Sequence, residues 1–162
     1  MRRILSITIL LMAFTNTLIS GPVQVTDSEK RDFIQQLVAL PKDGEFYAKA
    51  AIDKVILKMH ILFSLTEKDL DGQDPYPILA LSKGLCDRAK GQRFALDHFE
   101  EIEHPILKLC WAAMLFKTKA PSPAIVNYLR EALDNPQHAS FLSELLGPEF
   151  PTFKDQVLRA PQ

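Results

Sequence analysis

The stretch "PILKLCWAAMLF", Pro105 to Phe116, constrains the fold more than any other part of this sequence. It predicts a helix over residues 105 to 118 whose apolar side chains cover nearly its whole circumference. A helix that is apolar on every side needs other helices around it. The next predicted helix, 123 to 133, is amphipathic instead, with Ile125 and Leu129 on its inward face. We therefore expect helix 105 to 118 to be sandwiched inside a bundle or stack.

Helical periodicity extends over most of the remaining chain, and no strand-like alternation competes with it. Further helices are predicted over residues 27 to 40, about 45 to 65, 76 to 89, 92 to 103 and 138 to 146. A length of 162 residues, of which 47% are apolar and 24% charged, suits one globular domain. The predicted fold class is therefore all-α.

The residues between these helices have the chemistry of helix ends. Thr26 and Glu29 have capping-box spacing, which predicts a helix start. Pro105 and Pro123 fit the first turns of their helices, where a missing N–H group needs no replacement. Stops are predicted at Asn135-Pro136 and at Gly147-Pro148.

Two parts of the sequence repeat at an offset of 28 residues. Placing "YPILALSKGLC" over "HPILKLCWAAM" superposes Pro77 on Pro105, Ile78 on Ile106, Leu79 on Leu107 and Leu81 on Leu109. An amphipathic helix follows each copy. The pattern predicts stacked antiparallel helical hairpins, arranged as a short α-solenoid or an irregular helical bundle.

The second unit, residues 105 to 136, resembles a tetratricopeptide repeat. Ala112 falls at the small-residue position of that repeat, and Ala124, Tyr128 and Pro136 keep its spacing A-x3-Y-x7-P. Two residues depart from the pattern: Lys108 stands where a large apolar residue is usual, and Glu131 where a small one is.

The stretch "WAAMLFKTKAPSPAIVNYLREALDNP" is similar to a HEAT-type hairpin as well, so both repeat families stay open for residues 75 to 138. The resemblance implies a scaffold that binds another protein. On the last clear hairpin we expect Asn127, Tyr128 and Arg130 to be exposed and to be candidates for contacting that partner.

The N-terminal stretch "MRRILSITILLMAFTNTLIS" is predicted to be a signal peptide, residues 1 to 20. Two arginines precede an apolar run from Ile4 to Phe14, and polar residues follow before the run reaches the length of a membrane span. Residues 21 to 162 would then form a single all-helical domain that is secreted or periplasmic. An uncleaved N-terminal anchor is the alternative, and it is the only membrane contact that the sequence predicts.

The charge balance bears on the kind of partner. Removing residues 1 to 20 leaves 17 basic and 20 acidic residues, so the formal net charge changes from −1 to −3. The lysines are scattered, without a basic stripe, so nucleic acid is not an expected partner. The charge balance leaves proteins or small molecules as the expected partners, and the repeat-like pattern favours a protein.

The stretch "DHFEEIEHPILKLC", residues 97 to 110, concentrates carboxylates and histidines, but we interpret it as surface. Di-iron bundles use two Glu-x-x-His motifs, and this chain has one, Glu101 with His104. The proline after His104 pushes that residue out of helical geometry. A buried stripe of Phe94, Ala95, Leu96, Phe99 and Ile102 would direct Asp97, Glu100 and Glu101 to solvent.

The loop "DLDGQD" has the composition of a calcium site but not its spacing, since Gly72 is fourth and Ala80 occupies position twelve. Catalytic motifs such as G-x-S-x-G and H-E-x-x-H do not occur. We therefore assign no metal, no cofactor and no catalytic residue. Two alternatives stay open: a small exported effector or inhibitor that acts through the loop "TEKDLDGQDPYP", and an enzyme of an unrecognised type, for which a cysteine–histidine pair with Cys86 or Cys110 is one possible nucleophile.

Cys86 and Cys110 are the only cysteines, and an oxidising compartment would permit a disulfide between them. In a stack with an offset of 28 residues, Cys86 corresponds to Met114, so Cys110 lies about one turn earlier. That separation corresponds to roughly 10 to 12 Å between alpha carbons, beyond the limit of about 7 Å for a disulfide. We expect two free, buried thiols, and we expect Trp111 to be buried.

Overall fold

The computed structural model describes residues 24–38, 55, 58–73, 76–118 and 122–161, and these residues form helices and turns without a strand. The helices are α1 (Asp27–Val38), α2 (Met59–Phe63), α3 (Tyr76–Cys86), α4 (Ala89–Asp97), α5 (Pro105–Phe116), α6 (Pro123–Asp134), α7 (Pro136–Leu146) and α8 (Phe150–Arg159). Short 3₁₀ turns occupy Phe99–Glu101 and Gly147–Glu149. The all-α prediction is confirmed for this part of the chain, while the predicted signal peptide lies outside it.

Local hydrogen bonds explain where several helices begin. The Thr26 N–H donates to the Glu29 carboxylate at 2.8 Å and the Glu29 N–H donates to the Thr26 hydroxyl at 3.3 Å, which is the predicted capping box. Asn135 ends α6 and caps α7, since its side-chain oxygen accepts the backbone N–H groups of Gln137 and His138. Helix α7 therefore begins at Pro136, two residues before the predicted start.

The prediction of one long helix over residues 45 to 65 is wrong in the part of that range that the structure describes, because the helix is interrupted at Lys58. Lys58, with φ −117° and ψ 15°, precedes the separate short helix α2, which ends at Phe63. Beyond it the Asp69 carboxylate accepts the N–H and the hydroxyl of Thr66, both at 2.8 Å. Such local side-chain bonds offer the backbone an alternative to continued helix.

The helix predicted over residues 92 to 103 begins earlier and ends earlier. Helix α4 starts at Ala89, and Gly91 lets it approach α3 closely, because a Cβ at that position would lie 2.1 Å from the Leu85 carbonyl oxygen. The 3₁₀ turn after Asp97 changes the direction of the following side chains. Leu96, which lies in α4 before this turn, was predicted to be buried but is 37% exposed.

Helix α8 is an element that the sequence pattern did not predict. The sequence predicts a stop at Gly147-Pro148 and no helix beyond it. Pro151 instead lies in the first turn of α8, where its missing N–H costs nothing. Phe153 and Val157 are the buried residues of this helix, and the Phe153 ring packs edge-on against Phe116 at 5.3 Å.

The core forms around α5, which packs against α3, α4, α6 and α7. Trp111 is fully buried and its ring meets Phe63 at 5.4 Å between centroids. The prediction that this helix is sandwiched is confirmed. Cys86 on α3 and Cys110 on α5 are buried free thiols, as predicted, and burial raises their pKa values to about 11 and about 12 respectively.

Candidate functional site

An apolar groove of about 390 Å³ lies between α3, α5 and α7. Each helix contributes two apolar side chains to it: Leu79 and Ala80, Ala113 and Met114, and Leu145 and Leu146. Ala113 is fully buried, whereas Leu145 is 41% exposed. The groove thus has a packed floor and an apolar wall that is open to solvent.

Two charged side chains of the described residues line this groove, and both are lysines: Lys83 near the end of α3 and Lys117 directly after α5. Lys117 donates to the Glu149 carboxylate, and this hydrogen bond lowers the pKa of Glu149. Lys83 is exposed and has no ion-pair partner among the described residues. The groove therefore offers at least one uncompensated positive charge beside an apolar surface.

Cys110 forms part of the groove floor and is 2% exposed. Because burial raises its pKa to about 12, the thiol stays protonated at neutral pH. The thiolate is the nucleophilic form of cysteine. Cys110 is therefore not activated as a nucleophile at neutral pH.

The three residues predicted to contact a partner all lie on α6, and none of them lines the groove. Asn127 is exposed, as expected. The expected exposure is wrong for Tyr128 and Arg130, which are half-buried. Their role in binding a partner stays a prediction.

Internal contacts account for the burial of Tyr128 and Arg130. The Tyr128 hydroxyl donates to the Pro105 carbonyl at 3.4 Å. Arg130 donates to the carbonyl of Ala160, the residue that ends α8. A positive charge at the C-terminal end of a helix stabilises it through the helix dipole. Helix α8 was not predicted, so neither was this contact.

Lys108, a departure from the tetratricopeptide pattern, is held by three groups. Its ammonium nitrogen lies 2.9 Å from the Glu100 carboxylate and 5.1 Å from the centroid of the Phe99 ring. It lies 5.5 Å from the Tyr128 ring centroid as well. A cation over aromatic faces is attracted by their quadrupoles, which explains how lysine is accommodated beside the core.

The acidic stretch around residues 97 to 104 does not assemble a metal site. Glu101 pairs with His98 at 2.9 Å instead of His104. His104 is extended, as predicted, and its Nδ1 accepts the Leu107 N–H at 3.3 Å as the N-cap of α5. Burial lowers the pKa of His104, which favours the neutral, accepting form.

In the candidate calcium loop, Asp69 is already engaged. Its carboxylate accepts hydrogen bonds from Thr66 and from Lys30, the latter at 3.2 Å. Among the described residues, no three histidine, cysteine or carboxylate side chains come together in a way that could hold a metal ion. Asp69 therefore acts as the cap of its own turn.

The chain matches no protein-family model, no curated protein and no solved structure. No helix within the described ranges has the length and apolar character needed to cross a bilayer.

Proposed function

We propose that this chain is an exported, non-enzymatic helical-repeat protein that binds another protein through the groove between α3, α5 and α7. The order of helix contacts supports the repeat: α3 packs on α5 and α5 on α7, while α6 packs on α8. Helices two apart along the chain are neighbours in stacked hairpins, whose extended surfaces serve as binding sites. Support for export comes from residues 1 to 20 of the sequence.

The observation that carries the proposal is the open apolar wall of the groove. Leu145 is 41% exposed and adjoins Met114 and Leu146 within one groove, and contiguous exposed apolar surface is typical of interaction sites. A partner that covered this surface would remove apolar area from water, which favours association. The fully protonated Cys110 thiol in the floor adds a neutral surface to it.

Affinity capture from the native cell envelope or medium tests the proposal. The tagged chain is compared with Leu145→Glu, which places a charge in the groove, and with Leu158→Glu. Leu158 lies on α8 and is 52% exposed, and it does not line the groove, so it is a matched control. We expect a partner that is retained by the wild type and Leu158→Glu and lost with Leu145→Glu. Equal retention by all three proteins would contradict the proposal.

A further inference from the structure

We infer that the element of the partner that fills this groove is an amphipathic helix whose apolar face is flanked by carboxylate side chains. This inference rests on the proposed function and specifies the chemistry of the partner. Two independent observations support it. The backbone N–H and C=O groups of the groove walls are already hydrogen-bonded within their helices, and the charged side chains beside the groove are positive.

The walls favour a helical occupant over an extended one. The groove is built from the side of three helices, whose interior backbone N–H and C=O groups are already bonded within each helix. An extended segment would bring its own backbone polar groups onto an apolar surface without partners, which is costly. A helix satisfies its backbone internally and presents only side chains.

The side chains of the groove suit an apolar stripe. Two apolar residues come from each wall helix, and Met114 on the central helix has a flexible thioether that adapts to irregular surfaces. A docked helix would contact them with residues at i, i+3, i+4 and i+7. Leu145, at the open wall, is the residue most accessible to such a stripe.

The positive charges beside the groove favour a docked helix with carboxylates on both sides of its apolar face. Among the described residues that line the groove, the charged ones are Lys83 and Lys117 and none is a carboxylate, so a partner with carboxylates beside its apolar stripe is electrostatically complementary. Lys117 can leave Glu149 and pair with a carboxylate of the partner instead, because the glutamate side chain is 65% exposed and surface ion pairs contribute little to stability. Lys83 is available without any exchange.

The test uses two synthetic peptides of about 18 residues, long enough to form a helix. Both carry leucine at i, i+3, i+4 and i+7, and they differ only in flanks of glutamate or of lysine. Binding to the purified full chain is measured by fluorescence anisotropy at low and high salt. We expect the acidic peptide to bind about tenfold more tightly than the basic one at low salt, with the difference shrinking at high salt.

Two pairs of variants locate the site. Lys83→Glu is expected to weaken the acidic peptide about threefold or more and to strengthen the basic one. Lys154→Glu, a change at an exposed lysine of α8 outside the groove, should change neither. Leu145→Glu should weaken both peptides about tenfold, and Leu158→Glu should weaken neither. Circular dichroism of each variant verifies that it is folded.

The inference is overturned if the two peptides bind equally, if the acidic peptide does not bind, or if Lys83→Glu leaves the preference unchanged. Self-association of the chain that Leu145→Glu abolishes would also overturn it, since a second copy would then be the occupant. Each of these results leaves the proposed function intact if the affinity-capture experiment still shows a partner that the wild type retains and Leu145→Glu loses. Loss of that dependence contradicts the proposed function instead.

Discussion

Two sides of this helical fold differ in what their partly exposed residues contact. On the α6–α8 side, Tyr128 and Arg130 are occupied by Pro105 and Ala160, so these polar side chains hold helices together. On the α3–α5–α7 side, Leu145 and Lys83 have surface that no described neighbour covers. Residue type alone therefore does not show which surface can bind a partner. That surface is identified by exposed side chains that no described neighbour contacts.

Both sides pack on α5, so the largest loss of unfolding free energy is expected from a substitution in the middle of that helix. Trp111→Ala removes a fully buried ring and should lower the free energy of unfolding by about 3 to 5 kcal/mol. Trp111→Phe is the control: the indole N–H has no hydrogen-bond partner in the described structure, so only volume is lost and the cost should be clearly smaller. Urea denaturation measures both. A loss below about 1 kcal/mol for Trp111→Ala would contradict the central position of α5.

The α6–α8 side is tested by comparing two residues that the sequence pattern grouped together. Arg130→Ala removes the contact with the end of α8 and should cost about 1 to 3 kcal/mol in unfolding free energy. Asn127→Ala, at an exposed position on the same helix, should change it by less than about 0.5 kcal/mol. Similar small effects from both substitutions would mean that Arg130 is a surface residue after all.

The start of α5 should be sensitive to pH. Burial lowers the pKa of His104 below its ordinary value of 6.5, so the unfolded chain takes up this proton before the folded one does. The N-cap contribution, up to about 1 kcal/mol, is therefore complete above about pH 6.5 and is lost as the pH falls through the lowered folded value.

Denaturation curves of the wild type and His104→Asn between neutral and mildly acidic pH measure this effect. Asparagine is a strong N-cap that does not titrate in this range, so the difference between the two proteins should grow as the pH falls. A constant difference would show that His104 does not change its protonation state at the cap.

The smallest stability effect is expected at the groove. Leu145→Glu changes a side chain that is already 41% exposed, so the free energy of unfolding should change by less than about 0.5 kcal/mol. The same denaturation assay measures it beside Leu158→Glu. A loss of several kcal/mol would mean that Leu145 is part of the core, and the contrast between the two sides would disappear.

Features encoded by neighbouring residues could be predicted from the sequence. The capping box of Thr26 and Glu29, the first-turn prolines of α5 and α6 and the burial of Trp111 all depend on local spacing or on the all-round apolar pattern. What could not be predicted depends on how distant segments pack. Arg130 is half-buried because α8 ends beside it, and a helical periodicity in α6 carries no information about α8.

The groove was not predictable for the same physical reason. Leu79, Met114 and Leu145 are far apart in sequence, and each belongs to a helix that also contributes buried apolar residues, such as Leu81, Leu109 and Leu142, to the core. Nothing in their local pattern distinguishes a wall residue from a core residue. A signal that could have been used is the position of Lys83, the charged residue of α3, since it marks a side of that helix that faces solvent.

The central claim is that the partner occupies the α3–α5–α7 side and not the α6–α8 side. Site-specific photo-crosslinking tests it directly, with a photoreactive amino acid replacing either Leu145 or Asn127, both of which are exposed. After irradiation in the native envelope or medium fraction, we expect a crosslinked partner from position 145 and none from position 127. A crosslink from position 127 alone would contradict the account and would favour the site that the sequence pattern first suggested.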